Sequence, residues 1–320
     1  KLKDFQKAKN KERIRKEVLE NKNKDEETKQ ANFEIKSDES FKLDEDLDVD
    51  IKKVNFDSEN SRNINSNKLT TDDISAKAQS INNKKIKEYA KLIQKKERDK
   101  TNLFLVEGEH MVKEAYNANA LQELFILEGI ECPIQFNYET VTQQVLNKLS
   151  NQNSNSKMIG VCKKLNLKPV KEENILLLDN VQDPGNVGTI LRTAHSFGID
   201  CIYMSKGCAD IYNPKTIQSS QGALFYIPVI QTNLVEEIKK LQERNIEVYA
   251  TALHDKHKDL QDIKPSEKYA ILVGNEGQGV RKELIDLSDH IVKIEMETFE
   301  SLNVAIATSI CMYTFKYAKR

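Results

Sequence analysis

The spacing of hydrophobic residues divides the chain into a polar beginning and two ordered parts. Ile86, Ala90 and Ile93 recur at helical spacing, and short apolar runs typical of buried strands follow them. This pattern predicts a small α/β domain over residues 78–165, and the polar stretch 166–173, which contains a proline, is typical of a linker. Strands are predicted at 103–108, 123–129 and 157–164, with a helix at 109–117.

Strands and helices alternate through residues 174–320. Apolar runs rich in β-branched residues that alternate with helical patterns predict an α/β fold, a mostly parallel sheet with helices on both faces. In such sheets ligands bind at the carboxyl ends of the strands. The predicted strands are 175–178, 201–204, 247–251, 270–273 and 291–296, and the predicted helices are 187–197, 234–244, 281–287 and 302–318.

Residues 1–75 contain no glycine and no proline, and Lys, Asn, Asp and Glu dominate them. So little apolar surface does not offset the entropy cost of ordering, which predicts a disordered, charged tail. The tail is basic at 9–16 and acidic at 44–50. It is either a solvated spacer or a segment that tethers RNA through its basic front.

Composition limits the classes of protein that fit this chain. Basic and acidic residues number 49 and 50, so an electrostatic argument for a partner must be local. The five cysteines form no C-x-x-C pair and no apolar run is long enough to span a membrane, which predicts a soluble, cytoplasmic protein without disulfides. Because the chain begins at lysine, an organelle address removed with an earlier segment stays open as an alternative.

A local charge excess lies at the start of the first ordered part. Residues 84–100 carry eight basic and three acidic side chains, and the basic ones fall at steps of three and four. This spacing predicts one helix with a cationic stripe. The stripe is either a solvated face or a contact surface for RNA phosphates. Its residues are Lys84, Lys87, Lys91, Lys95 and Arg98.

Three loops at predicted strand ends contain the candidate chemistry. In DPGNVGTILR, residues 183–192, Asn186 is expected to cap the following helix, and Arg192 lies six residues further on. Arg192 is either structural or directed at a substrate. In METFESLNVA, residues 296–305, Ser301 is the expected helix cap and Asn303 lies in the first turn.

The remaining loop, GNEGQGV at residues 274–280, has the spacing G-x-x-G-x-G. This differs from the G-x-G-x-x-G of dinucleotide-binding folds, so a nicotinamide oxidoreductase is disfavoured. Its glycines leave a peptide edge on which an adenine ring could lie, and Glu276 is either a turn residue or directed at substrate. The histidines pair with no plausible nucleophile and offer no third metal ligand, so we expect no metal site and a cofactor that already carries an activated group.

Together and in this order, the loops resemble the SpoU family of RNA ribose 2′-O-methyltransferases, part of the TrmH-type group with a trefoil knot. The first motif is Asn186, Gly188 and Arg192, and the second and third are residues 274–277 and 301–304. The NPK and GALF stretch of residues 212–229 also resembles the family. Residues 81–108 are similar to the amino-terminal substrate-binding domain of its ribosomal-RNA members.

The resemblance implies a knotted domain over 174–320 that binds S-adenosylmethionine, a homodimer packed through the knot, and an RNA-binding domain. It implies methylation of a ribose 2′-hydroxyl in RNA, with large-subunit ribosomal RNA favoured because of the extra domain. The alternatives are transfer RNA as the substrate, or an RNA-binding protein that keeps the knot without catalysis. The implied catalytic residues are Arg192, Asn186, Glu276, Ser301 and Asn303. The implied cofactor-binding residues are Thr251, Leu253, Gly274, Asn275, Gly277, Ile294, Met296 and Leu302.

Overall fold

The computed structural model describes residues 84–150, 155–252, 257–298 and 302–317. The predicted tail over 1–75 therefore lies outside the described residues, as do Leu253 and Ser301 among the predicted site residues. Within the described ranges no helix is long and apolar enough to cross a membrane.

The first described part is a small sheet flanked by helices. Its four strands lie in the order β1-β4-β2-β3, with β4 antiparallel to both of its neighbours. Strand β3 and helix α4 lie in a stretch for which the sequence pattern predicted no element. The elements are α1 (84–90), α2 (Lys95–Thr101), β1 (Leu103–Glu107), α3 (Glu109–Asn117), β2 (Leu121–Leu127), β3 (Glu139–Val141), α4 (Gln143–Ser150) and β4 (Met158–Lys163).

The predicted single helix after residue 81 is wrong, because the chain breaks it. Helix α1 passes into a short 3-10 turn, Lys91–Ile93, and Gln94 then takes an extended conformation before α2 begins. This break turns the Arg98 side chain inward, where it is 2% exposed. The cationic stripe is therefore divided among α1, the 3-10 turn and α2.

The second described part is a seven-stranded sheet in which every described pairing is parallel, as predicted. The strand order β7-β6-β5-β10-β8-β11-β9 places β5, β10 and β8 at its centre. Strand β11 ends at Lys293 rather than at the predicted 296. The strands are β5 (Asn174–Leu178), β6 (Cys201–Met204), β7 (Val229–Gln231), β8 (Glu247–Thr251), β9 (Lys258–Asp259), β10 (Tyr269–Val273) and β11 (His290–Lys293).

Helices cover both faces of this sheet. Along β5, Leu176 and Leu178 pack into one core, whereas Ile175 and Leu177 pack into another, because successive strand residues point to opposite faces. Helices α5, α6 and α9 cover the first face and α7 and α8 the second. The helices are α5 (Pro184–Ser196), α6 (Pro214–Ser220), α7 (Leu234–Glu243), α8 (Lys282–Leu287) and α9 (Val304–Tyr317).

The small sheet and the large sheet share an aromatic contact. The ring of Phe104, on β1, lies 4.8 Å from the ring of Tyr212 and 6.0 Å from that of Phe225. At the edge of this contact, Arg98 donates to Asp210 at 2.6 Å. Buried rings and a buried ion pair fix the two parts against each other.

Candidate active site

Helix α5 begins at a cap other than the one predicted. Asp183 is the N-cap, and its Oδ1 accepts from the backbone N–H of Asn186 at 2.9 Å. Pro184 occupies the first helical position, which its fixed φ suits. The expectation that Asn186 caps the helix is therefore wrong, and its side chain is free to point out of the first turn.

The side chain of Asp183 also reaches the neighbouring helix. Its Oδ2 accepts from Lys215 Nζ of α6 at 2.8 Å. The hydrogen bond from Lys215, followed by that from the Asn186 backbone, lowers the pKa of the Asp183 carboxyl. Asp183 therefore links the start of α5 to the start of α6.

Gly188 allows α5 and α6 to pack at very close range. A Cβ at this position would lie 2.4 Å from the backbone oxygen of Thr216 and 2.6 Å from Cβ of Ser219. Any side chain at position 188 would push the two helices apart and move Asn186, two residues earlier in the same helix.

The loop over 274–280 is held by its own hydrogen bonds. Asn275 and Gly279 exchange two backbone hydrogen bonds, and Asn275 Oδ1 accepts from the N–H groups of Gly277 and Gln278. The Asn275 side-chain nitrogen donates to the carbonyl of Asn180 at 2.9 Å. The Asn275 side chain thus shapes the loop.

A buried carboxylate anchors the far end of the same loop. Asp179, fully buried after β5, accepts from the backbone N–H of Arg281 at 3.0 Å and from its Nε at 2.9 Å. A buried charge needs such a partner, because leaving it unpaired costs several kcal/mol. This pair fixes the loop that carries Glu276 to the end of the central strand.

Three of the predicted catalytic residues meet at one point. The Asn186 side chain donates to Glu276 Oε1 at 2.9 Å and accepts from Asn303 Nδ2 at 3.0 Å. Asn303 is also the cap of α9, since its Oδ1 accepts from the N–H groups of Ala305 and Ile306. The prediction that Asn303 lies in the first turn is therefore wrong by one position. This cluster of Asn186, Glu276 and Asn303 is called the amide network below.

Arg192 does not join the amide network within one chain. It lies on the exposed face of α5, and its side chain makes no hydrogen bond or ion pair with any residue that the structure describes. Its backbone oxygen accepts from the Ser196 hydroxyl at 2.9 Å.

A cavity of about 390 Å³ opens beside the amide network at the carboxyl ends of the central strands. Its volume falls within the range of about 300 to 1,000 Å³ usual for small-molecule sites. Glu276 belongs to both the network and the cavity wall. The predicted cofactor residues that line it are Thr251, Gly274, Asn275, Gly277, Ile294, Met296 and Leu302.

Gly274 is needed at the cavity wall because the loop folds directly onto it. A Cβ on Gly274 would lie 2.2 Å from backbone atoms of Gly279 and Val280. The bare backbone at this point, with the apolar side chains of Ile294, Met296 and Leu302, is suited to a flat purine ring.

Comparisons with known proteins bear on this site. Residues 173–313 match the SpoU rRNA Methylase family, and residues 83–160 match the MRM3-like substrate binding domain. The chain is 37% identical over 242 residues to the 23S rRNA (guanosine(2553)-2′-O)-methyltransferase RlmP of Bacillus subtilis, covering 73% of this chain and 97% of that protein. The chain belongs to the SpoU rRNA methylase family.

Solved structures of SpoU-family and rRNA methyltransferases share this fold. The AdoMet-bound rRNA methyltransferase of Sinorhizobium meliloti is 27% identical, with a TM-score of 0.63 over 72% of this chain and 93% of that one. The SpoU methyltransferase AviRb of Streptomyces viridochromogenes, 23% identical, has a TM-score of 0.64 over 72% and 96% of the two chains. The predicted family and α/β fold are confirmed, and with them membership of a methyltransferase family.

The predicted RNA-contacting residues divide into two groups. Lys84, Lys87, Lys91 and Lys95 are exposed, although Lys95 is paired with Asp99 at 2.8 Å. Arg98 is buried and donates to the carbonyls of Leu92 and Ile93 as well as to Asp210. The prediction that Arg98 contacts RNA is therefore wrong, because its guanidinium is enclosed by the protein. Among the described residues no group of His, Cys, Asp or Glu could hold a metal ion.

Proposed function

We propose that this chain is an S-adenosylmethionine-dependent enzyme that methylates a ribose 2′-hydroxyl in large-subunit ribosomal RNA. The observation that carries the proposal is the amide network at the mouth of a cofactor-sized cavity, where Glu276 is shared by both. The B. subtilis relative, matched over 97% of its length, supports the choice of ribosomal RNA.

The cavity holds the cofactor in this proposal. Backbone at Gly274, Ile294 and Leu302, with Thr251 at the neighbouring strand end, lines the space for its adenosine part. When bound, S-adenosylmethionine supplies a methyl group on a sulfonium, which needs no further activation by the protein.

The protein must therefore position the ribose oxygen and stabilise the charge that develops on it. Asn303 orients the Asn186 amide, and this amide orients Glu276 toward the nucleotide. Arginine side chains stay protonated in proteins, so Arg192 donates hydrogen bonds to the 2′-oxygen rather than accepting its proton. The hydroxyl proton passes to water or to an RNA phosphate as the oxygen takes the methyl group and the thioether product leaves. Ser301, next to this network in sequence, is assigned to nucleotide positioning by the same proposal.

Arg192 reaches the site of the other subunit in a homodimer. On α9, a stripe of apolar side chains at helical spacing is between 36% and 60% exposed. Large exposed apolar stripes mark protein interfaces, and α5, which carries Arg192, packs against α9. The stripe consists of Ile306, Ile310, Tyr313 and Tyr317 and is called the α9 stripe below.

The remaining assignments follow from the family. Residues 78–165 form the RNA-binding domain, with Lys84, Lys87, Lys91 and Lys95 on its surface, residues 166–173 form the linker, and residues 174–320 form the trefoil-knotted methyltransferase domain. Residues 1–75 form the charged tail. Because the B. subtilis relative acts on 23S ribosomal RNA, the enzyme is assigned to the cytoplasm.

Mapping of ribose methylation across total RNA, in cells with and without this protein, tests the proposal. We expect one large-subunit site to lose its methyl group, with the position that corresponds to guanosine 2553 as the first candidate. Calorimetry with S-adenosylmethionine accompanies the mapping. A purified protein that binds no S-adenosylmethionine, or a methylation map without any lost ribosomal site, contradicts the proposal.

A further inference from the structure

A second concave region lies between the two parts of the chain, about 510 Å³ in volume. One wall comes from the small sheet and includes Gly108 and Ser156, and the other comes from α6 and includes Lys215, Gln218 and Ser219. This region is called the interdomain cleft. None of the predicted cofactor-binding residues and none of the residues of the cationic stripe lines it.

The cleft is preformed. The Phe104–Tyr212 ring contact and the buried Arg98–Asp210 ion pair hold its two walls together. Its volume falls in the range of about 300 to 1,000 Å³ usual for ligand sites, which is enough for a nucleotide but not for a double helix. A preformed cleft of this size with both apolar and polar lining residues suits a planar ligand with polar edges.

The cleft opens beside the amide network. Lys215, at its mouth, donates to Asp183 at 2.8 Å, and the same carboxylate accepts from the Asn186 backbone at 2.9 Å. Asp183 therefore connects Lys215 of the cleft to Asn186 of the amide network. Lys215 is thereby joined to the start of the helix that carries Asn186.

Lys215 places positive charge on the α6 wall of the cleft. Lys215 is 61% exposed, so only part of its ammonium group is used by Asp183. At the other end a smaller pocket adjoins the cleft, lined by Leu92 and Ile93 of the 3-10 turn that begins with exposed Lys91. Glu107, on the same wall as Gly108, is already engaged in an interaction of its own. The exposed part of the Lys215 ammonium group is therefore the feature of the cleft that suits contact with a phosphate.

We propose that the interdomain cleft binds an unpaired stretch of the RNA substrate next to the methylated nucleotide, with Lys215 contacting a phosphate and Gln218 and Ser219 contacting a base or sugar. Unpaired RNA is the occupant because its unstacked bases are accessible to side chains, whereas a duplex is recognised mostly by its shape. This inference rests on the proposed function, since it deepens the assignment of the substrate.

The competing explanation is that Lys215 acts only through Asp183, as a brace for the start of α5. Two variants separate the explanations. Lys215→Met removes the charge and keeps most of the length. Asp183→Asn keeps a residue that caps helices well but releases Lys215 from its ion pair. Lys240→Met on α7 is the matched control, because Lys240 is 60% exposed and is also paired with a carboxylate.

The probe is a fluorescent transcript of the 23S ribosomal RNA segment around guanosine 2553, titrated with full-length protein at several salt concentrations. For Lys215→Met we expect roughly two- to fivefold weaker binding. We also expect a fall of about 0.7 in the steepness of log affinity against log salt, the value for one lost phosphate contact on a single strand. Asp183→Asn should bind as tightly as the wild type or more tightly, and Lys240→Met should be unchanged.

A steric variant gives an independent readout. Gln218→Trp places a large ring at the mouth of the cleft and should weaken RNA binding while calorimetry shows unchanged S-adenosylmethionine binding. The proposal is overturned if Lys215→Met binds the transcript with wild-type affinity and salt dependence. It is also overturned if Asp183→Asn loses as much RNA affinity as Lys215→Met. If Gln218→Trp does not fold, the comparison of Lys215→Met with Asp183→Asn decides alone.

These outcomes are distinct from failure of the proposed function. A wild-type protein that binds the transcript but transfers no methyl group contradicts the enzyme and leaves the cleft intact. A protein that methylates RNA while all cleft variants bind like the wild type contradicts the cleft and leaves the enzyme intact. Absence of any binding by the wild type overturns both.

Discussion

The side-chain amide of Asn186 donates to Glu276 Oε1 at 2.9 Å, although the two residues are 90 positions apart. The same amide accepts from Asn303, so one asparagine joins the helix after β5, the loop after β10 and the start of α9. The geometry of the site therefore depends on the direction of a single amide group.

Reversal of this hydrogen bond gives the first prediction. Asn186→Asp places its new carboxylate against that of Glu276. Repulsion between the two should displace both side chains and lower the methylation rate by up to about a hundredfold. Adding Glu276→Gln restores a donor and an acceptor with their positions exchanged, so the double variant should recover much of the rate. Single-turnover methylation assays measure both. A double variant no better than Asn186→Asp alone would show that Glu276 acts through its charge.

A second prediction concerns Arg192. Arg192→Lys keeps the positive charge but loses the planar fork of donors, so we expect a large loss of methyl transfer with little change in S-adenosylmethionine affinity. Mixed dimers of Arg192→Lys with Asn186→Asp subunits should regain activity, because one site then has an intact Arg192 from its partner and an intact amide network. Near-normal transfer by Arg192→Lys removes this residue from the chemistry, and mixed dimers without activity place it in its own subunit's site.

The α9 stripe gives a third prediction. Ile306→Asp puts a charge into an apolar contact and should convert the dimer into a monomer. Light scattering after gel filtration measures the mass, and methylation should be lost with the dimer. Val170→Asp is the control, since Val170 is exposed but lies in a loop outside the stripe. A wild-type protein that is already monomeric contradicts the assignment.

The buried Arg98 gives a prediction about stability. Arg98→Ala leaves the Asp210 carboxylate without its partner and frees the carbonyls of Leu92 and Ile93, which should lower the free energy of unfolding by about 3 to 5 kcal/mol. Lys95→Ala, which removes an exposed ion pair, should cost less than about 1 kcal/mol. Urea unfolding measures both. Equal, small losses would show that the pair with Asp210 contributes little.

Asp99 gives a prediction about pH. Hydrogen bonds from Lys164 and Lys95 lower its pKa to about 2, so the ionised form is favoured by folding. The ionised Asp99 carboxylate therefore stabilises the folded protein at pH values above its ordinary pKa of about 4. This stabilisation is lost as the pH falls through the lower pKa of the folded state. Because Asp99 is half exposed, this stabilisation is below about 1 kcal/mol. The difference in urea unfolding midpoint between the wild type and Asp99→Asn should narrow from pH 4 to pH 2. A difference that stays constant over this range contradicts the prediction.

The central strands were predictable from the sequence because buried parallel strands are near-continuous apolar runs. Helix α6 was missed, although Asn213 before Pro214 is a start signal, and Asp183 before Pro184 is the same signal at α5. The inward turn of Arg98 had no local signal, because its partner Asp210 is 112 residues away. Likewise, sequence spacing placed Asn186, Glu276 and Asn303 on separate loops, and only the sheet order brings them together.

That sheet order also sets when a growing chain gains its site. Strand β10 lies between β5 and β8, although it is made after both, and the cavity wall is finished only with Ala307. Non-local pairings of this kind form slowly and late during synthesis. A polypeptide still on the ribosome thus displays the exposed lysines of residues 84–95 well before it can take up a methyl donor. A chain cut short before α9 lacks part of the cavity wall and cannot take up the donor at all.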